Sequence, residues 1–163
     1  MISLVQLKKL NEEYSRGVSE WAAVADPELN DLIMEAWGSD GGVALDILTR
    51  IPVARFTSSQ VKDLFACLLF WIQGPSRFYD RAVAILTKFG AYFLDDLRQS
   101  LVEACRKGDD SVVRGLCHVI SLLDLDHQRQ LKECVDQLSH TTSADVLEAL
   151  RDLCERSRMF DFQ

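Results

Sequence analysis

Apolar residues recur at helical spacing along most of the chain and fall into pairs of segments. The first segments of these pairs begin near Pro27, Ser58, Ala91 and Asp126, at intervals of 31, 33 and 35 residues. A unit of two short helices cannot bury its own apolar faces, so successive units stack and leave an extended surface free. The pattern therefore predicts an all-α fold, and within that class a right-handed α-solenoid of about four helix pairs.

The length of 163 residues suits one domain with a buried core. We expect residues 1–163 to form a single helical-repeat domain, because no proline- or glycine-rich linker divides the chain. Residues 1–25 are predicted to form a capping helix, residues 27–157 the helix pairs, and residues 158–163 a tail.

The second helix pair contains the longest apolar run, residues 64–72. That run is far shorter than the roughly 20 residues that cross a bilayer as a helix. A helix that is apolar on nearly every side belongs in the middle of a stack, flanked on both sides, so we expect a buried helix and place the second pair at the centre of the core. Thr57 and Gln60 have the spacing of a capping box at its start. Gly90 is expected to end the second helix of this pair.

The chain is acidic, with 25 acidic and 18 basic residues and a net charge of −7. Formal charges sum to −3 over residues 27–57, +2 over residues 58–89 and −3 over residues 125–163. Because such a protein repels phosphate backbones, we expect it to bind no nucleic acid. The acidity has two interpretations, solubility alone or complementarity to a basic protein partner.

Acidic residues form two stripes opposite the apolar faces of their helices. The first stripe contains Glu28, Asp31 and Glu35, and the second contains Asp145, Glu148, Asp152 and Glu155. Few basic residues lie four positions away, so each stripe would project a negative field. Solvated helix faces look like this by default. The alternative hypothesis is that these residues form partner-binding surfaces.

The cysteines at 67, 105, 117, 134 and 154 fall on the apolar faces of their helices, where a thiol packs as a small hydrophobe. None is spaced with another cysteine or a histidine as paired zinc ligands are. No nucleotide-binding, serine-hydrolase or metalloprotease motif occurs. We therefore expect no metal, no cofactor and no catalytic residue. The number of cysteines is odd and none lies close to another in sequence, which is typical of a reducing compartment. The N-terminus has no signal-peptide layout. We therefore expect a cytoplasmic protein that does not enter a membrane.

One segment resembles a known repeat family. Residues 109–114 (DDSVVR), with Leu116 and residues 122–124, resemble the second helix of a HEAT repeat, in which an acidic cap precedes a valine–arginine pair. Residues 143–150 are similar but lack the arginine, and residues 40–45 depart further because they contain two glycines. As architecture the resemblance spans about residues 27–155. It implies protein binding, the most frequent function of HEAT-like domains.

In size, acidity and helical-repeat form the chain is also similar to small acidic bacterial immunity proteins. Such proteins neutralise a cognate toxin, often a basic nuclease, by covering its active site. The resemblance implies a non-enzymatic immunity-type inhibitor that binds its toxin directly. Two alternatives stay open: a secretion chaperone or scaffold that binds an extended peptide, and an enzyme with a cryptic carboxylate site.

The interpretation of the cysteines leads to a prediction. Protein purified without added metal should contain no stoichiometric zinc by elemental analysis, and a chelator should leave its circular dichroism spectrum unchanged. Zinc that is lost together with the fold would contradict this interpretation, because a structural zinc site contributes its binding free energy to folding.

Overall fold

The computed structural model describes residues 26–141 and 148–151, together with residues 5, 6, 9, 12 and 153. Within these residues the chain forms helices and turns and no strand, which confirms the predicted all-α class. No helix in this described part is long and apolar enough to span a membrane. The predicted tail, and most of the predicted capping helix, lie outside the described residues.

Seven helices follow one another through the continuous described segment from residue 26 to residue 141. They are α1 (Asp26–Glu35), α2 (Gly41–Leu48), α3 (Ser58–Trp71), α4 (Tyr79–Lys88), α5 (Gly90–Lys107), α6 (Asp110–Leu122) and α7 (Leu125–Thr141), with a short 3₁₀ turn at Val53–Arg55. Residues 148–151 and 153 are also helical.

Local sequence chemistry sets several of these boundaries. The capping box at the start of α3 is confirmed: the Thr57 N–H donates to Gln60 Oε1 at 2.9 Å, and the Gln60 N–H donates to Thr57 Oγ1 at 3.2 Å. Asp109 caps α6 by accepting a hydrogen bond from the Val112 N–H at 3.2 Å. Gly108, which ends α5, has a φ of 69°, a conformation that glycine adopts without strain.

Contacts group the chain into two compact units, which are described separately. Unit 1 is Met1–Trp71 with Arg77–Lys88, and unit 2 is Ile72–Ser76 with Phe89–Gln163.

In unit 1, α1 packs against α2, α3 packs against α4, and the two hairpins also contact each other through α1 with α3 and α2 with α4. Two hydrogen bonds show that α1 and α3 are parallel. Gln60 Nε2 donates to Asn30 Oδ1 at 2.9 Å towards the helix starts, and Trp71 Nε1 donates to the Ala36 carbonyl oxygen at 2.8 Å at their ends. The core of the unit includes Leu29, Leu32, Leu45, Ile47, Leu48, Ile51, Leu64 and Leu68, all fully buried.

The predicted basic middle of the chain contributes cations that bind within unit 1. Arg77 donates to the Ser39 carbonyl oxygen just before α2 begins. Arg81 pairs with Asp46 at 2.7 Å along α2. Lys88 donates to the carbonyl oxygens of Thr49 and Ile51 just after α2 ends. These three side chains therefore hold α4 parallel to α2, and their charges are partly used inside the unit.

In unit 2, α5 packs against both α6 and α7. The Phe89 and Phe93 rings stack with centroids 5.7 Å apart, and both are fully buried. The rest of the core comes from residues on the apolar faces of the three helices, including Leu97, Leu101, Val113, Leu116, Val119, Ile120, Leu131 and Val135.

Two expectations from the sequence are wrong. Helix α3 is not buried on every side, because Phe70 is 48% exposed and lies on the same exposed face as Lys62 and Ala66. Gly90 does not end a helix but begins α5, and it is buried. A β-carbon at Gly90 would lie 2.6 Å from Leu123 Cδ2, so close packing of its neighbour explains the glycine.

The two glycines that depart from the HEAT pattern lie where α2 approaches its neighbours closely. A β-carbon at Gly41 would lie 2.5 Å from the Ala36 carbonyl oxygen, and one at Gly42 would lie 2.8 Å from Phe78 Cε1. The turn from α1 into α2 is therefore tight because Gly41 has no side chain, and Gly42 lets α2 lie close to Phe78.

Gly41→Ala tests this tight approach. Alanine normally favours a helix over glycine, but here we expect a loss of about 1–3 kcal/mol in the free energy of unfolding, because the contacting atom is backbone and cannot move aside. Gly38→Ala is the control, since its β-carbon would lie 3.3 Å from the Glu35 carbonyl oxygen and the position is exposed. Equal stability of the two variants in urea unfolding would contradict the tight turn.

Candidate protein-interaction surface

The first acidic stripe lies on the outer side of α1. Glu28 is exposed, and Asp31 and Glu35 are partly exposed. The buried face opposite them includes Leu29 and Leu32, as the spacing predicts. The sequence of this helix, DPELNDLIME, contains four acidic residues and no basic one. Its outer face therefore carries a concentrated negative charge.

The second acidic stripe is only partly described. Glu148 is exposed, whereas Asp145, Asp152 and Glu155 lie outside the described residues. Glu148 Oε2 lies 3.5 Å from an Arg114 nitrogen, and Arg114 also pairs with Asp110 at 2.9 Å. The hydrogen bond with Asp110 is the largest contribution that raises the pKa of Arg114. A cation from another helix thus offsets part of the charge at Glu148, which spacing within one helix could not reveal.

Four aromatic rings form a continuous row in unit 1, which we call the aromatic row: Trp37, Phe70, Trp71 and Phe78. The ring centroids of Trp37 and Phe70 are 5.5 Å apart, with the planes tilted by 41°. Phe70 meets Trp71 edge-on at 4.9 Å, and Trp71 meets Phe78 edge-on at 4.8 Å. These spacings are favourable for aromatic pairs, so each ring restrains the next.

The two ends of the aromatic row have different environments. Phe78 is buried at one end, and the guanidinium carbon of Arg77 lies 4.7 Å from its ring centroid. At the other end Trp37 is 40% exposed and Phe70 is 48% exposed. The row therefore runs from a ring that an arginine covers to two rings that contact solvent.

Trp71, in the middle of the row, is fixed to the end of α1. Its Nε1–H donates to the Ala36 carbonyl oxygen, one of the carbonyls that a helix end leaves without an intrahelical partner. Burial raises the pKa of the nearby Cys67 thiol to about 12, although a hydrogen bond with Trp71 acts in the opposite direction. Cys67 is therefore a neutral core residue and not a nucleophile.

Met34 extends the exposed apolar surface next to the row. Its side chain is 67% exposed, and its carbonyl oxygen accepts a hydrogen bond from the Trp37 N–H at 3.3 Å. Met34, Trp37 and Phe70 together form what we call the apolar patch. Large apolar side chains that are grouped on a surface, bordered by charge, are typical of protein-interaction sites.

A second concave surface lies along α5 in unit 2. This open groove of about 420 Å³ is lined by Asp95, Arg98, Gln99, Val102, Glu103 and Arg106. Asp95 pairs with Arg98 at 2.9 Å, and Glu103 pairs with Lys107 at 2.7 Å. Because these charges already have partners and one helix supplies the whole lining, the groove is a weaker candidate than the apolar patch.

Metal ligands do not cluster in the described part of the chain, where no three His, Cys, Asp or Glu residues are placed to hold an ion. Asp124 and His127 do meet at 2.6 Å. Asp124 also accepts a hydrogen bond from the His127 N–H at 3.0 Å, which lowers the pKa of the carboxyl group. This pair is explained by its place at the start of α7, where Asp124 acts as the cap.

The chain matches no family model, no curated protein and no solved structure.

The apolar patch was missing from the predictions made from the sequence, although part of it could be seen there. Met34 falls outside the apolar spacing of Leu32, Ile33 and Ala36, so an exposed position was predictable. Phe70 was not, because apolar residues on nearly every side of α3 leave its buried face undefined.

The exposed position of Phe70 predicts a small effect on stability. Phe70→Ser should lower the free energy of unfolding by about 1 kcal/mol, the scale of the aromatic contacts that it loses. Phe78→Ala should cost about 3–5 kcal/mol, because this ring is buried. Urea unfolding measures the free energy of unfolding of both variants. If Phe70→Ser lowers it as much as Phe78→Ala does, Phe70 belongs to the core.

Proposed function

We propose that the chain is a non-enzymatic protein-binding module, and that the apolar patch bordered by acidic helix α1 is its contact surface. The observation that carries the proposal is the exposure of Met34, Trp37 and Phe70 on neighbouring helix ends. Tryptophan is enriched among the residues that dominate binding free energy, and such residues act best in a fixed position.

The contacts that hold the patch support this use. Trp37 and Phe70 are packed against each other, and Phe70 is packed against Trp71, which is bonded to α1. Little side-chain entropy is left to lose when a partner binds, so more of the contact free energy appears as affinity. A patch that served only solubility would expose charged side chains at these positions.

The charge of α1 supports a basic partner. Four acidic residues on one helix attract a positively charged protein over several ångströms and raise the rate of encounter. The apolar patch would then slow dissociation, since removal of apolar surface from water stabilises the final complex. Fast association followed by slow release is what a stoichiometric inhibitor needs.

We extend the proposal to the architecture and the class of partner. The parallel stacking of two hairpins in unit 1 supports a right-handed α-solenoid of about four helix pairs. An acidic helical-repeat module of this size, with an apolar patch, fits an immunity-type inhibitor that covers a basic toxin domain in the cytoplasm. Purification from the native cell, identification of the bound protein and inspection of the adjoining genes test this class directly.

Reversal of the first acidic stripe tests the role of charge. In a variant with Glu28→Lys, Asp31→Lys and Glu35→Lys, we expect association with the purified partner to slow by about tenfold or more at low ionic strength. Its dependence on salt should flatten, while dissociation changes little, because charges at the border of an interface act mainly on the encounter rate. Stopped-flow or surface plasmon measurements give both rates.

The matched control is the variant with Glu148→Lys, Asp152→Lys and Glu155→Lys on the second stripe. We expect the control to associate at nearly the unchanged rate, because the proposed contact surface borders α1 and does not include the second stripe. A slower rate for the control alone, with both folds intact by circular dichroism, would move the contact surface to the second stripe. If both variants associate with the partner at the unchanged rate, the acidic residues serve solubility alone.

A further inference from the structure

We infer that the exposed end of the aromatic row, at Trp37 and Phe70, binds an arginine side chain of the partner protein. This inference rests on the proposed function and names the chemical group that the surface recognises. A guanidinium placed over an aromatic face is attracted by the ring quadrupole, and Trp gives the strongest such interaction among the aromatic side chains.

The aromatic row already binds one guanidinium within the chain itself. Arg77 covers Phe78 at the buried end, with 4.7 Å between the guanidinium carbon and the ring centroid. From there the rings continue through Trp71 to Phe70 and Trp37, each within 5.5 Å of the next. The exposed end presents the same chemistry without an internal arginine, among the residues that the structure describes.

Two helix ends add negative potential at this place. Trp71 is the last residue of α3, and its indole binds the carbonyl of Ala36, the residue after the end of α1. The negative ends of both helix dipoles therefore converge near the exposed rings. Neither helix has a basic residue in its last turn, where a cation would normally be favourable.

Glu35 strengthens the same field. It is the last residue of α1, where a carboxylate opposes the helix dipole and is unfavourable for the isolated helix. A residue that is locally unfavourable is often explained by function. A partner cation bound at this end of α1 would reduce the repulsion between the Glu35 carboxylate and the negative end of the helix dipole.

An arginine fits this surface better than an apolar side chain or a lysine does. A purely apolar side chain would bring no positive charge to the two negative helix ends, whose last turns contain no basic residue. A lysine would supply the charge, but its ammonium is compact and strongly hydrated, whereas the planar guanidinium stacks on rings and loses water more easily. Among the side chains of a basic partner, this surface therefore binds arginine in preference to lysine.

A short peptide that alternates arginine and glycine is the probe for this inference. In two-dimensional NMR of the intact chain, we expect it to shift the indole resonance of Trp37 and the signals of residues 34–37 and 70–71. The same peptide with citrulline in place of arginine has the same shape without the charge, and we expect no shift. A lysine peptide should bind more weakly at these residues than the arginine peptide does.

Trp37→Leu keeps an apolar side chain but removes the ring. We expect it to lower affinity for the arginine peptide by about threefold to thirtyfold, the range that follows from the strength of a cation–π contact. Tyr92→Leu is the control, because Tyr92 is an aromatic residue that is 59% exposed in unit 2 and outside the row. Its affinity should not change.

Equal binding of the citrulline peptide, or an arginine peptide that shifts no signal near Trp37, would overturn the arginine site. So would a lysine peptide that binds there as tightly as the arginine peptide. The proposed function is tested separately by the purified partner. If Trp37→Leu weakens binding of that partner although the arginine peptide does not bind, the proposed contact surface is supported and the arginine site is rejected. If partner binding is unchanged by Trp37→Leu and by Phe70→Ser, the contact surface and the arginine site both fail.

Discussion

The hydrogen bond from Trp71 Nε1 to the Ala36 carbonyl oxygen determines what unit 1 presents to solvent. It fixes the end of α3 to the end of α1 and satisfies a carbonyl that the helix itself leaves open. Together with the bond from Gln60 to Asn30, it holds the two helices parallel at two points. The aromatic row, the apolar patch and the convergence of two negative helix ends all depend on that parallel alignment.

Opposite charges in unit 1 have different roles. The cations of α4 bind the polar groups of α2 and stabilise the stack of hairpins, as Arg81 does with Asp46. The carboxylates of α1 lie on a helix with no basic residue and contribute a field at the surface. The sequence shows only a basic middle between acidic ends. The structure shows that Arg77, Arg81 and Lys88 bind groups of the same unit, so this part of the basic charge acts within unit 1.

Much of the fold follows from the sequence because helix starts and ends are decided locally. The four predicted helix starts lie within one residue of those observed, and the capping box of Thr57 and Gln60 forms as its spacing predicts. Contacts between helices could not be predicted in the same way. The pair formed by Arg114 and Glu148 joins residues that are 34 positions apart, and no periodicity within one helix relates them.

The proposed contact surface was the hardest part to predict, for a physical reason. Periodicity identifies a buried face only when polar residues mark the opposite face. Most of α3 has no such contrast, so periodicity alone predicts the same burial for the exposed Phe70 and the buried Leu68. The acidic stripe of α1 was visible because charge marks a solvent face directly, whereas the apolar patch beside it depends on how α1 and α3 meet.

Hydroxyl-radical footprinting of the complex with the purified partner reports the exposure of individual side chains, and so shows whether the partner covers the apolar patch. Met34 and Trp37 are exposed in the free chain, and Tyr92 in unit 2 is an exposed internal reference. We expect the partner to reduce oxidation of Met34, Trp37 and Phe70 strongly, while oxidation of Tyr92 stays the same. Unchanged oxidation of Met34 and Trp37 in a saturated complex would contradict this expectation.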